Sequence, residues 1–491
     1  MKMKKHIAII LGLALLTLSC SDWLDVNPAQ QIREQEMFET QRGFQDLLMG
    51  VYIRMASPAL YGRNTTVVLP ELMTHHWLAR TNDNQLSAAV RNFDFTQTAS
   101  RNLLETIWLN YFSAIVNLNA ILANIEQRRH LFSSGNFELV KGEALGLRAF
   151  LHFEILRLWG SAPEQMVLGN RSIPYVTQVT RNPADLMSLT YDEVLYRILA
   201  DLNAAQELLA NDPIQDWTNT ELNSPGALGG TATGMEGVDN FHFFRQFRFN
   251  LYAVKATKAR YFMWIGEPVR AREYAMMVIN AQNPDGSSRF VLGNEFEVSM
   301  GRLTFPSEHI FALNNSLATQ TLAPVFFEHN TAYTQAPTST DLLSQESGTD
   351  IRLRDNRMWE YRVIPGQAQR FNTFRKFNVT EHTAIENMPI IRLSEMFFIA
   401  IEVDHTADDL LRTFAISRDI LNLIEGEDHS DPEVLFRRLE WEHRKEFFGE
   451  GQMLFFNKRH GITEFTWPAT RTMTLENYRL PIPETQSMFE L

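Results

Sequence analysis

Apolar residues recur along this chain at spacings of three and four, and that period predicts helices through most of its length. In TIWLNYFSAIVNLNAILANIEQ, residues 106–127, the positions Trp108, Tyr111, Phe112, Ile115, Leu118, Leu122 and Ile125 fall on one face of a long helix. The segment EALGLRAFLHFEILRLWG, residues 143–160, is apolar at nearly every position except Arg148, His152, Glu154 and Arg157. Such a helix is covered on most sides, and Gly160 with Pro163 ends it. A third amphipathic helix is expected over 191–209, and further helices over 391–403, 407–424 and 432–450.

Residues 251–279 add a tertiary signal. Two helical patterns flank Gly266-Glu267-Pro268, with small residues at Ala259, Ala271 and Ala275 and an aromatic ring at Phe262. This is the spacing of a tetratricopeptide helix pair, in which small residues permit close approach and the ring fills the gap between helices. The expected fold is therefore all-α, with tetratricopeptide-like helix pairs forming one large body. Two stretches break the period. Residues 222–240 are Gly-rich and polar and read as a loop. No strand precedes them and no Lys-Ser/Thr closes them, so they do not form a phosphate cradle. Residues 281–390 are mixed and rich in Asn, Thr and Pro, as in a functional or capping insertion with many loops.

The N-terminus changes the picture. Lys2, Lys4 and Lys5 precede an uncharged run from Ile7 to Leu18, the layout of a secretory leader and too short for a comfortable bilayer span. Ser19-Cys20 follows, and Cys20 is the only cysteine in 491 residues. A small residue followed by cysteine at the end of such a run marks a lipoprotein cut site, although Thr17 stands where leucine is usual. Residues 1–19 are accordingly expected to be a signal peptide. Residues 20–491 then form a body tethered through lipid on Cys20, with several acyl chains making attachment durable. A lone cysteine leaves no partner for a disulfide. The formal net charge of −13 supplies no electrostatic footprint for nucleic acid.

CSDWLDVNP, EALGLRAFLHFEILRLWGSAP and EWEHRKEFFGEGQ, in order along the chain, resemble motifs of the SusD/RagB family of nutrient-binding outer-membrane lipoproteins of Bacteroidetes. CSDWLDVNP looks like the family's opening after its lipidated cysteine, and FETQRGFQDLLMGVYIRM is similar to its first helix. EALGLRAFLHFEILRLWGSAP resembles its most recognisable helix and Gly-x-x-Pro exit. Ser394, Glu395 and Glu402 in IIRLSEMFFIAIEV, the stretch EWEHRKEFFGEGQ, and the closing LPIPE complete the series. Met453 and FFNKR, residues 455–459, depart from the usual residues there. The resemblance implies a surface-facing, lipid-anchored outer-membrane protein that lids a TonB-dependent SusC-like transporter and hands it oligosaccharides or peptides. It implies no enzyme activity and no cofactor.

Candidate chemistry is sparse. Glu442, Glu446 and Glu450 are four apart, which could suggest paired carboxylates for glycoside hydrolysis, but a charged helix face with ion pairs accounts for them better. Adjacent His75 and His76 rarely point one way, so no metal site is expected. No Gly-x-Ser-x-Gly elbow is present. Binding without chemistry needs flat aromatic faces and planar polar groups, and nine Trp and twelve Tyr supply more ring surface than a core requires. Trp77, Arg80, Asn82 and Asp83 cluster before the first long helix, with Trp77 the principal expected contact. The competing reading places Trp77 in the core. Trp359 and Tyr361 in the insertion form a second candidate pair. The rival functions are a lipid-anchored helical scaffold for protein partners and a lipid-anchored glycan hydrolase. If Cys20 is the attachment point, Cys20→Ala should move the protein out of the outer-membrane fraction. An unchanged share of the variant in that fraction would reject the lipoprotein reading.

Overall fold

A helix with apolar residues on every face has to be enclosed by the rest of the chain, and the body is arranged around one such helix. The computed structural model describes residues 36–77, 85–133, 135–180, 182–223, 240–315, 387–406, 408–465 and 471–488, with shorter pieces between 318 and 377. The principal helices are α1 (Gln41–Ala56), α2 (Thr98–Ile125), α3 (Asn136–Trp159), α4 (Tyr191–Leu208), α5 (Leu251–Trp264), α6 (Pro268–Ile279), α7 (Leu393–Val403), α8 (Asp408–Arg418), α9 (Pro432–Glu446) and α10 (Gln452–Arg459). α1 packs on α2, α3 lies between α2 and α4, α6 lies between α5 and α7, and α9 packs on α10. This is the expected all-α body of tetratricopeptide-like pairs. Ala259, Phe262, Ala271 and Ala275 are all buried, and the Phe262 ring stacks on Tyr274 at 5.6 Å.

α3 is the enclosed helix, and every residue from 142 to 160 is buried. Two glycines one turn apart permit the close contact. A Cβ on Gly142 would stand 2.8 Å from Leu209 Cγ, and one on Gly146 would stand 2.5 Å from Phe249 Cε1. The polar residues of α3 carry partners with them, as burial demands. Arg148 forks onto Asp201 at 2.7 and 2.8 Å. His152 Nδ1 donates to the Arg148 carbonyl, while its Nε2 accepts from the Val176 amide. Burial holds its pKa down to about 3, so the ring is neutral. Glu154 pairs with Arg157, and Arg260 of α5 reaches both Glu154 and Glu395. At the end of α3, Lys458 Nζ donates to the carbonyls of Arg157 and Gly160 at 2.7 Å and of Tyr478 at 2.8 Å. The lysine amino group thus satisfies carbonyls that the helix end leaves without partners. Burial pushes the Lys458 pKa well below the usual lysine value.

The described strands are β1 (His309–Asn314), β2 (Thr334–Gln335), β3 (Trp359–Val363), β4 (Arg370–Phe374), β5 (Asn387–Arg392), β6 (Glu464–Phe465) and β7 (Arg471–Thr472). β1 pairs with β5, β4 lies between β2 and β3, and β6 pairs with β7, all antiparallel. Five of these strands fall in or at the end of the segment expected to be rich in loops.

The acids of α9 form ion pairs, as expected, but inside the protein rather than on a solvated face. Glu442 and Glu446 are fully buried beside Glu308 and Asp350. Arg392 reaches Glu446 at 2.6 Å and Glu308 at 3.0 Å, and Arg418 forks onto Glu446 at 2.8 and 2.9 Å. Arg352 bridges Asp350, Glu442 and Glu446. Burial alone would raise the Glu442 pKa, but Lys445, Arg352 and Arg438 outweigh it and bring the group down to about 2. Glu446 is likewise held well below the ordinary value by Arg418 and Arg392 against the opposing effect of burial. A folded-state pKa below the unfolded one gives stability that is present above the unfolded value and lost as pH falls. Urea titrations should therefore show stability declining from about pH 4.5 toward about pH 2. A flat profile across that window would mean that the network does not form.

Candidate ligand-binding face

Trp77 and Trp359, one from each segment proposed from sequence to contact a ligand, meet in space. Trp77 follows the short helix Leu69–Met73 and is 0 % exposed, while Trp359 opens β3 and is 6 % exposed. Both rings pack edge-on against Phe448 at 4.9 Å. Phe374 completes the group, 4.8 Å from Trp359, 5.3 Å from Phe448 and 6.1 Å from Trp77. β-pairing sets part of this, because Phe374 lies opposite Trp359 across β3 and β4. Trp77 Nε1 also donates to the Val67 carbonyl at 2.8 Å.

This burial corrects the role expected for both tryptophans. Their faces are spent on Phe448 and Phe374, so neither ring is a surface platform for stacking. They are interior residues that join the Leu69–Met73 helix, β3 and Phe448. Tyr361 lies in β3 with its backbone opposite Asn372. Arg80, Asn82, Asp83 and Cys20 lie outside the described residues.

A clamp that the sequence reading missed holds the base of the Trp77 loop. His76 stacks on Phe448 at 4.7 Å and 13°, and its Nδ1 is 2.6 Å from Glu71 Oε2. The other oxygen of Glu71 accepts the Gly451 amide at 2.9 Å. Gly451 has φ +76°, and a Cβ there would meet Pro70 Cγ at 2.6 Å, so glycine is required twice over. The one available signal was Gly451 itself, in GEGQ after α9. Nothing in sequence paired it with Glu71. His75 adopts φ +62° and turns away from His76's partner, its ring beside Phe93 and Phe465. Burial, with Arg91 and Arg471 nearby, lowers its pKa to about 3. Among the described residues, no three His, Cys, Asp or Glu side chains are placed to share a metal ion.

The same geometry bears on catalysis. Glu442 and Glu446 are ionised and enclosed by guanidinium groups, the reverse of the raised pKa that a general acid requires.

Residues 22–229 match the family model SusD-like_3, described as starch-binding and associating with the outer membrane. The whole fold superposes on a SusD superfamily protein from Bacteroides thetaiotaomicron with a TM-score of 0.70 at 18% identity, over 91% of this chain and 98% of that one. The chain is thus similar to the SusD family in sequence over residues 22–229, and its fold is the one that this solved structure has. Other SusD-like structures superpose over similar lengths. A SusD-like carbohydrate binding protein from Bacteroides vulgatus does so with a TM-score of 0.67 at 16% identity, covering 92% and 96% of the two chains. A SusD superfamily protein from Bacteroides fragilis gives 0.65 at 17% identity, covering 92% and 98%. No curated protein sequence matches the chain.

Loss of the Trp77 ring should unsettle the fold as well as the loop. Trp77→Ala is expected to cost about 3–5 kcal/mol in urea unfolding, the range for removing a large core aromatic. A variant as stable as the wild type would show that the ring is not part of the core.

Proposed function

We propose that this protein binds an oligomeric nutrient without cleaving it and delivers it to a TonB-dependent SusC-like outer-membrane transporter. Lipid on Cys20 holds it at the outer membrane, on the cell-surface side. The ligand is an oligosaccharide, in keeping with the starch-binding description of the family. One observation supports the location of the site. Trp77 and Trp359 rest on a single aromatic cluster, which supports assigning the residues that follow each of them to one face. On this reading the buried rings set the height and angle of the face. Arg80, Asn82 and Asp83 supply the planar polar groups that orient hydroxyls, with Tyr361 contributing from β3.

Calorimetry of the mature chain against oligosaccharides and peptides tests the proposal, with chromatography of each mixture for products. The expected result is binding of an oligosaccharide without turnover. Arg80→Ala/Asn82→Ala should then weaken affinity about tenfold or more, the scale of losing hydrogen bonds that include a charged donor. Released product would favour a hydrolase, exclusive peptide binding would change the ligand class, and binding of neither would favour a scaffold.

A further inference from the structure

A second cleft, built from residues other than those of the face above, has the lining that a sugar ring needs. It has a volume of about 550 Å³ and lies between the start of α2 and the chain that closes the body. That volume is within the roughly 300–1,000 Å³ of ligand pockets. One wall carries Phe95, Thr96 and the outward side of the first turns of α2, with Arg101, Asn102 and Glu105. The other is the run Pro481-Ile482-Pro483-Glu484.

Both walls are rigid. Asp94 accepts the Thr96 amide at 3.1 Å and the Gln97 amide group at 2.8 Å, while Ser100 Oγ donates to the Asp94 carbonyl at 2.7 Å. These bonds fix the approach to α2. Across the cleft, Pro481 accepts the Trp159 indole N–H at 3.1 Å, which ties this wall to the end of α3. Two prolines restrict the remaining backbone. Arg101 Nη1 meets Glu484 Oε1 at 3.3 Å and links the two walls.

The lining is mixed in a specific way. Phe95 and the proline rings offer apolar surfaces to C–H groups. The Asn102 amide, the Glu105 carboxylate and the remaining N–H groups of Arg101 offer donors and acceptors to hydroxyls. Two carboxylates stand against one guanidinium, so the cleft disfavours an anionic sugar. We infer that this cleft binds a neutral hexose unit of the oligosaccharide, as a contact additional to the Arg80–Asn82 face; the inference rests on the glycan-binding reading above.

The test uses maltoheptaose as the neutral probe and an oligogalacturonate as the anionic one, titrated calorimetrically into the mature chain. Asn102→Ala/Glu105→Ala replaces one exposed and one half-buried position on α2 with a good helix former, so the melting temperature should hold. The expected result is binding of maltoheptaose in preference to oligogalacturonate, with affinity about tenfold lower in the double variant. Phe95→Ala, which leaves α2 untouched, should weaken binding as well. If the wild type and the double variant bind maltoheptaose equally while Arg80→Ala/Asn82→Ala does not, the cleft is overturned and the main face stands. If the wild type binds neither probe, the glycan reading fails and the cleft fails with it. Preference for oligogalacturonate would overturn the neutral assignment.

Discussion

A helix enclosed by protein cannot send its polar groups to water, and α3 makes this constraint govern the whole body. Its last carbonyls lie where solvent cannot reach them, and the Lys458 amino group takes the place of water. Its Arg148 finds a partner on α4 and its Glu154 one on α5, where Arg260 also reaches Glu395 of α7. Each partner fixes the distance of its own helix from α3, so satisfying one helix positions the next. An unpaired charge or carbonyl there would cost far more than a typical surface contact contributes.

The loop face depends on the same logic at its base. Trp77, His76, Trp359 and Phe374 come from the two ends of the body and its insertion, and Phe448 gathers them. Trp77 and Trp359 meet Phe448 edge-to-face while His76 stacks on it, and these geometries fix relative orientation as well as burying area. A binding face assembled from irregular chain needs such a footing, because loops alone hold side chains loosely.

What could be read from sequence divides along physical lines. Helix period is a local property, so α2, α3, α4 and the α5–α6 pair were legible, as was the close contact at Ala259, Ala271 and Ala275. The enclosure of α3 was legible too, because its apolar residues run around the full helix. The convergence of the Trp77 and Trp359 segments was not, since tryptophan composition is the same whether a ring lies on the floor or on the surface of a site. Both rings were expected as ligand contacts, with the core as the competing place for Trp77, and both are buried. The acids of α9 gave the reverse case. Their i, i+4 spacing correctly suggested a structural role, yet spacing cannot reveal that Arg352, Arg392 and Arg418 arrive from three other elements to enclose them. The β-pairing within residues 281–390 stayed hidden because two- to six-residue strands carry little periodic signal.

The clamp between Glu71 and Gly451 joins residues 380 apart, and the Lys458 cap reaches back 301 residues to Arg157. Seen as an order of events, these bonds set a delay into chain synthesis. The helices of the N-terminal half can form as they emerge, but α3 cannot be sealed, nor the Trp77 loop anchored, until the last part of the chain has been made. Contacts of such long sequence separation slow folding, because the loop must close before they reward it. A chain built this way stays open until it is nearly complete, and shortening it from the C-terminal end would remove the residues that close its first half.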